Sequence, residues 1–96
     1  MRISDLKPGM RGVRLEAEVL DVDKPKKVVV RGSERTILEA IITDGTGRLK
    51  LVLWDDKILD LRPGDKVVIE GGVVTSYKGI WRLNVSKGGS IRKLGP

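Results

Sequence analysis

The chain has 96 residues, of which 19 are Lys or Arg and 13 are Asp or Glu, giving a formal net charge of +6 that favours polyanionic partners. That length holds one compact domain, residues 1–96, because a second would have no core of its own. Cys and His are both absent, which removes disulfides, the usual zinc ligands, thiol nucleophiles and the commonest general base, so the expectation is a non-catalytic protein with no metal and no cofactor.

In chain order, Ser4 and Asp5 precede Leu6 and then Lys7-Pro8-Gly9, a capped apolar turn and a β-turn signal that predict a plug for one end of a barrel. From Val13, the apolar Leu15, Ala17 and Val19 alternate with Arg14, Glu16 and Glu18, the period of a half-buried strand. The phase slips where Leu20 and Val22 are apolar next, which predicts a β-bulge bending a long strand. Lys24-Pro25-Lys26-Lys27 reads as a basic bend, followed by strands at Val28-Val29-Val30 and from Thr36 to Thr43 about a turn near Gly32-Ser33. Asp44-Gly45-Thr46-Gly47 then turns into a strand from Arg48 to Trp54. Its alternation sets Leu49, Leu51 and Leu53 on one side and Arg48, Lys50, Val52 and Trp54 on the other.

Asp55 to Leu61 has room for a turn or two of helix, with Asp55 as N-cap and Ile58, Leu59 and Leu61 as the buried side, ended by Pro63-Gly64-Asp65. Lys66 to Tyr77 is a long strand interrupted at Gly71-Gly72, where a kink or bulge is easiest. Lys78-Gly79 turns into Ile80 to Val85, and Lys87-Gly88-Gly89-Ser90 leads to a last apolar segment, Ile91 to Leu94. Five main strands, a short helical turn between the third and fourth of them, and glycine bends in long strands predict an all-β fold, the five-stranded Greek-key barrel of the OB-fold. An SH3-like barrel leaves the insertion between Trp54 and Lys66 unexplained.

Phase also nominates a binding surface. Trp54 shares its strand face with Arg48 and Lys50, so a π surface and two cations point the same way. Stacking on an aromatic ring stabilises each base by about 1–3 kcal/mol whatever its identity, while cations neutralise phosphates. The rival reading makes Trp54 a core residue at a strand end. Tyr77 sits at a hairpin tip beside Lys78 and Gly79, where a ring can lie across a base and the ammonium can reach a phosphate. Trp81 shares phase with Leu83 and Val85 and so points inward, unless the strand end splays, leaving Ile80, Arg82 and Asn84 outside. Arg82 can stack or pair with phosphate; Arg31 and Arg35, with Lys26 and Lys27, cluster about the first hairpin as an electrostatic arm or as solvated charge. Asp44, Asp55, Asp56 and Asp60 raise a metal-dependent nuclease, but capping and turn formation account for Asp55 and Asp44.

No segment approaches the roughly 18 apolar residues of a spanning helix or resembles a signal peptide, so a cytoplasmic protein without a membrane partner is expected. Absent Gln, a single Asn84 and abundant Val, Lys and Glu lean towards a thermophilic source.

The segments ISDLKPGM, RTILEAIITDGTGRLKLVLWDD, PGDKVVIEGG, YKGIWRLN and SKGGSIRKLG, in that order and over nearly the whole chain, resemble the single-OB, replication protein A-like single-stranded-DNA-binding proteins of archaea, which have relatives in animals. The resemblance implies a single-stranded-DNA site on the outer sheet face, with bases stacked on aromatic side chains. In it, Trp54 matches the tryptophan after the third strand's apolar run, Tyr77 the aromatic before Lys-Gly, and Arg35 the basic residue before the Thr of the second strand. Val73 departs from archaeal members with a further aromatic there, and Asn84 stands where animal relatives carry Tyr. An exposed Trp81 is the natural candidate to replace the aromatic missing at Val73. The expected function is sequence-tolerant protection of single-stranded DNA in replication, recombination and repair, in the cytoplasm and associated with the nucleoid if the source is archaeal, with other replication or repair proteins as partners. The alternatives are an RNA-binding, translation-associated OB domain and an adapter that docks a partner through Val73 and Ile80. Family members often continue past the equivalent of Gly95-Pro96 into a partner-recruiting tail.

Overall fold

A computed structural model of the chain describes residues 1–94; Gly95 and Pro96 lie outside the described residues. The strands are β1 (Val13–Val22), β2 (Lys26–Val30), β3 (Ser33–Thr43), β4 (Arg48–Trp54), β5 (Lys66–Tyr77), β6 (Ile80–Val85) and β7 (Ser90–Lys93), with 3-10 turns at Ile3–Asp5 and Asp55–Lys57. Five of them close a ring in the order β1-β3-β4-β6-β5, completed by antiparallel pairing of β1 with β5. The pairing of β4 with β6 is parallel, so β6 is inserted between β4 and β5. This is the OB-fold, with β2 added as a hairpin on β3 and β7 as an edge on β5.

The ring closes because two long strands bend at bulges. In β1 the register against β3 slips between Val19 and Asp21, at the position where the apolar phase of the sequence slips. In β5 the register against β1 slips too: from Val13 to Leu15 is two steps along β1, while their partners Gly72 and Ile69 are three steps apart. Gly71 supplies the bulge with φ +69, and a Cβ there would lie 2.7 Å from the carbonyl oxygen of Gly88. Past this point the inward residues of β5 change phase, from Val67 and Ile69 to Val74, which turns Val73, Thr75 and Tyr77 to the outer face.

Leu49, Leu51 and Leu53 all enter the core, opposite Trp54 on their strand. Leu15, Ile42, Ile69, Leu83 and Val85 are fully enclosed with them. Each such side chain stabilises the fold by about 1.5–3 kcal/mol on burial. One end of the ring is plugged by Ile3 and Leu6, held there by the backbone N–H of Ile3 donating to Asp44 Oδ2 at 2.8 Å. Leu61 is buried and Ile58 and Leu59 pack against the core from the segment after β4, as the apolar spacing predicts.

Three local expectations need correction. Lys26 and Lys27 open β2 instead of forming a bend, because both pair in register with Ile37 and Thr36 of β3. The β2–β3 turn is Arg31-Gly32, both with positive φ (52° and 78°), and Ser33 already belongs to the strand. Asp55 does not cap a helix: the segment makes only a 3-10 turn whose N-cap is Trp54, and the Asp55 carboxylate is committed to β3.

Candidate nucleic-acid interface

The outer face of β3, β4, β6 and β5 carries two rows of side chains fixed by strand register. One row runs Glu39, Val52, Asn84, Val73 and the next runs Ile41, Lys50, Arg82, Thr75. Trp54, paired with Ile37, and Tyr77, paired with Ile80, lie towards opposite ends of this surface.

Trp54 is half-buried and outside the core cluster, so its indole belongs to the outer face. Its Nε1–H donates to Asn84 Oδ1 at 3.2 Å. The Asn84 amide in turn donates to Thr75 Oγ1 at 2.8 Å and to the Val73 carbonyl at 3.3 Å, so three strands hold one ring in place. The Arg35 guanidinium carbon lies 5.4 Å from the centroid of the indole, within cation–π range. Arg35 is itself paired with Asp55, whose carboxylate also accepts the backbone N–H of Thr36 at 3.1 Å. These contacts, the Thr36 N–H first and then Arg35, hold the Asp55 carboxyl below the ordinary carboxylate range.

Tyr77 is 57% exposed at the β5–β6 hairpin, whose turn residues Lys78 and Gly79 both have positive φ. Lys78 Nζ lies 5.4 Å and the Arg82 guanidinium carbon 5.3 Å from its ring centroid. Arg82 also reaches towards Glu39, with Nη1 at 4.0 Å from Oε2, while its Nε is buried without a hydrogen-bond partner among the described residues.

Glu39, absent from the residues singled out by sequence reasoning, organises the cations. It is only 5% exposed and faces Lys26 Nζ at 2.5 Å, Lys50 Nζ at 3.3 Å and Arg82. The Lys26 ammonium bonded to it, with Lys50 beside it, holds its carboxyl below the ordinary value of 4.5 even though burial opposes ionisation. Its signal was available: Glu39 shares outward phase with Ile37 and Ile41, a lone carboxylate between apolar neighbours on one strand face.

The remaining residues are placed less centrally. Arg48 is exposed at the start of β4, paired with Thr43 and distant in register from Trp54. Arg31 is exposed at the hairpin tip, four strand residues beyond Ile37, or roughly 13 Å of extended chain. Lys27 pairs with Glu34 at 3.4 Å on the hairpin, whereas Lys26 joins the Glu39 cluster. Trp81 lies on the face of β6 opposite Asn84, and Asn84 is the register partner of Val73. It therefore does not fill the place of an aromatic at Val73, although it is 46% exposed. Asp44 accepts the backbone N–H and the hydroxyl of Thr46 as well as Ile3, which accounts for that carboxylate as a turn former.

A family model described as single-stranded DNA binding protein Ssb-like, OB fold, matches residues 6–93. The chain is 36% identical over 83 residues to the single-stranded DNA binding protein Ssb of Saccharolobus solfataricus, a match covering 86% of this chain and 56% of that relative's length. Among solved structures it is similar to the second OB-fold domain of replication protein A from Methanococcus maripaludis, with TM-score 0.84 and 20% identity over 100% of this chain and 95% of that one. It is equally similar in fold to an OB domain from Thermoplasma acidophilum, with TM-score 0.84 and 19% identity over 100% of this chain and 87% of that one.

Proposed function

Because the chain belongs to the Ssb-like family of OB-fold single-stranded-DNA-binding proteins, we propose that it binds single-stranded DNA on the outer face of its sheet, without sequence preference and without catalysis. The observation that carries this reading is the Trp54 indole, held outside the core by Asn84 beside the cations gathered at Glu39. A ring so fixed has already lost its rotamer freedom before a base stacks on it. Tyr77 offers a second platform at the far end of the face, with Lys78 and Arg82 within reach of the phosphates between. Lack of sequence preference is supported by the rings and cations, which suit any base and any phosphate, and by Asn84 being bonded to both Trp54 and Thr75.

In a cell this activity would protect exposed strands during replication, recombination or repair. The test is a titration of the intact chain with short single-stranded DNA, matched RNA and duplex DNA at two salt concentrations. Tryptophan fluorescence is expected to fall on binding single strands, and log affinity to decline with log salt by about 0.7 for each phosphate contacted. A folded protein that binds no single strand at low salt would overturn the proposal. Equal affinity for the matched RNA would widen it to single strands of both kinds.

A further inference from the structure

Trp81 is in phase with the enclosed Leu83 and Val85, yet nearly half of it is exposed. It is the second residue of β6, next to the Lys78-Gly79 turn, where the strand runs past the end of the core. Its ring lines a groove at the barrel rim. Ile3 and Leu6 of the N-terminal plug and Ile80 form apolar walls, and Arg48 and Lys50 approach from the start of β4. No acidic side chain among the described residues lines this groove. The residues that lead into it belong to the outer face as well: Ile80 is the register partner of Tyr77, and Lys50 is bound to Glu39.

We infer that the rim groove at Trp81 is an additional base-stacking subsite, reached by the same single strand after it passes Tyr77, with Arg48 meeting its phosphate. The inference rests on the proposed function and extends it from one face of β6 to the other. An exposed indole alone would suit many partners. An indole over an apolar floor, with Arg48 in no ion pair among the described residues and no carboxylate in the groove lining itself, fits a nucleotide, which offers a flat π face and a negative charge together. Continuity with the outer face favours the same strand over a separate ligand, because the hairpin that presents Tyr77 on one side presents Trp81 on the other.

The experiment measures affinities of the wild-type chain, Trp81→Ala and Trp81→Phe for oligothymidylates of increasing length, from about 4 to about 16 nucleotides. Wild-type and Trp81→Ala are expected to agree on the shortest strands that bind and to diverge by about 5- to 150-fold once the strand is long enough to reach the rim, the equivalent of one stacked base. Trp81→Phe should recover most of that difference. Arg48→Ala should lower the salt slope by about 0.7 on long strands only. Thermal denaturation checks that each variant is folded. A length series unchanged by Trp81→Ala, or shifted equally at every length, overturns the rim subsite while leaving the outer-face site standing. Absence of any wild-type binding would instead defeat both readings.

Discussion

The indole N–H of Trp54 is bonded across the parallel β4–β6 pairing to the side chain of Asn84, residues that lie 30 positions apart in the chain. The ring is thereby oriented by a strand that contributes no aromatic of its own to that part of the face. A double-mutant cycle of Trp54→Phe and Asn84→Ala separates this orientation from simple stacking, since Phe keeps a ring but has no donor. Asn84→Ala is expected to weaken single-stranded-DNA binding by about 1 kcal/mol in the wild-type background and by much less in Trp54→Phe. Fluorescence anisotropy of a labelled oligonucleotide reads both.

Trp54→Ala should lose about 1–3 kcal/mol of binding free energy, the contribution of one stacked base. Its cost to folding should be well below the about 3–5 kcal/mol of a tryptophan removed from a core, because the ring stands outside the enclosed cluster. Urea denaturation beside a DNA titration distinguishes the two losses.

Glu39 gives stability a defined dependence on pH. Its carboxyl is held below 4.5 in the folded chain, so its contribution is complete above that unfolded value and declines as pH falls through the folded one. The melting temperature should therefore drop between pH 5 and pH 3 by more in the wild type than in Glu39→Gln, as followed by circular dichroism.

The same substitution tests what the carboxylate does for binding. Glu39→Gln should cost about 1–3 kcal/mol of stability at neutral pH, because charged partners lose an ionised acceptor. It also leaves Lys26, Lys50 and Arg82 without the negative charge that partly cancels them. The salt dependence of DNA binding should then steepen by about 0.7 in log–log slope, measured from affinities over a series of salt concentrations.

Gly71→Ala should destabilise the fold by at least about 2 kcal/mol, since a left-handed backbone must be held by an L-residue and the new methyl meets the Gly88 carbonyl at 2.7 Å. Thermal or urea denaturation would show it.

Residue alternation made the essential split legible: Leu49, Leu51 and Leu53 to the interior and Trp54 away from it. The slip at Leu20 and the glycine bend in β5 were legible as local breaks in strand patterning, and the apolar plug around Leu6 as a capped turn ahead of the first strand. The charge cluster was not. Lys26, Glu39, Lys50 and Arg82 come from four strands, and only their register makes one carboxylate serve three cations. Asp55 was misread because a cap and a tether to Arg35 use the same residue type, and the choice depends on β3 lying alongside. For Trp81 the phase was legible and the burial left open between core and surface, since a strand can outrun the core it points towards.

The late strand β6 sits between two earlier ones, with Lys50 beside Arg82 and Val52 beside Asn84. A growing polypeptide on the ribosome that has reached only β5 therefore lacks both the stave that closes the ring and the anchor for the indole. The outer face is in this way assembled only once β6 has been made, and chains that stop short of it have no finished platform to offer.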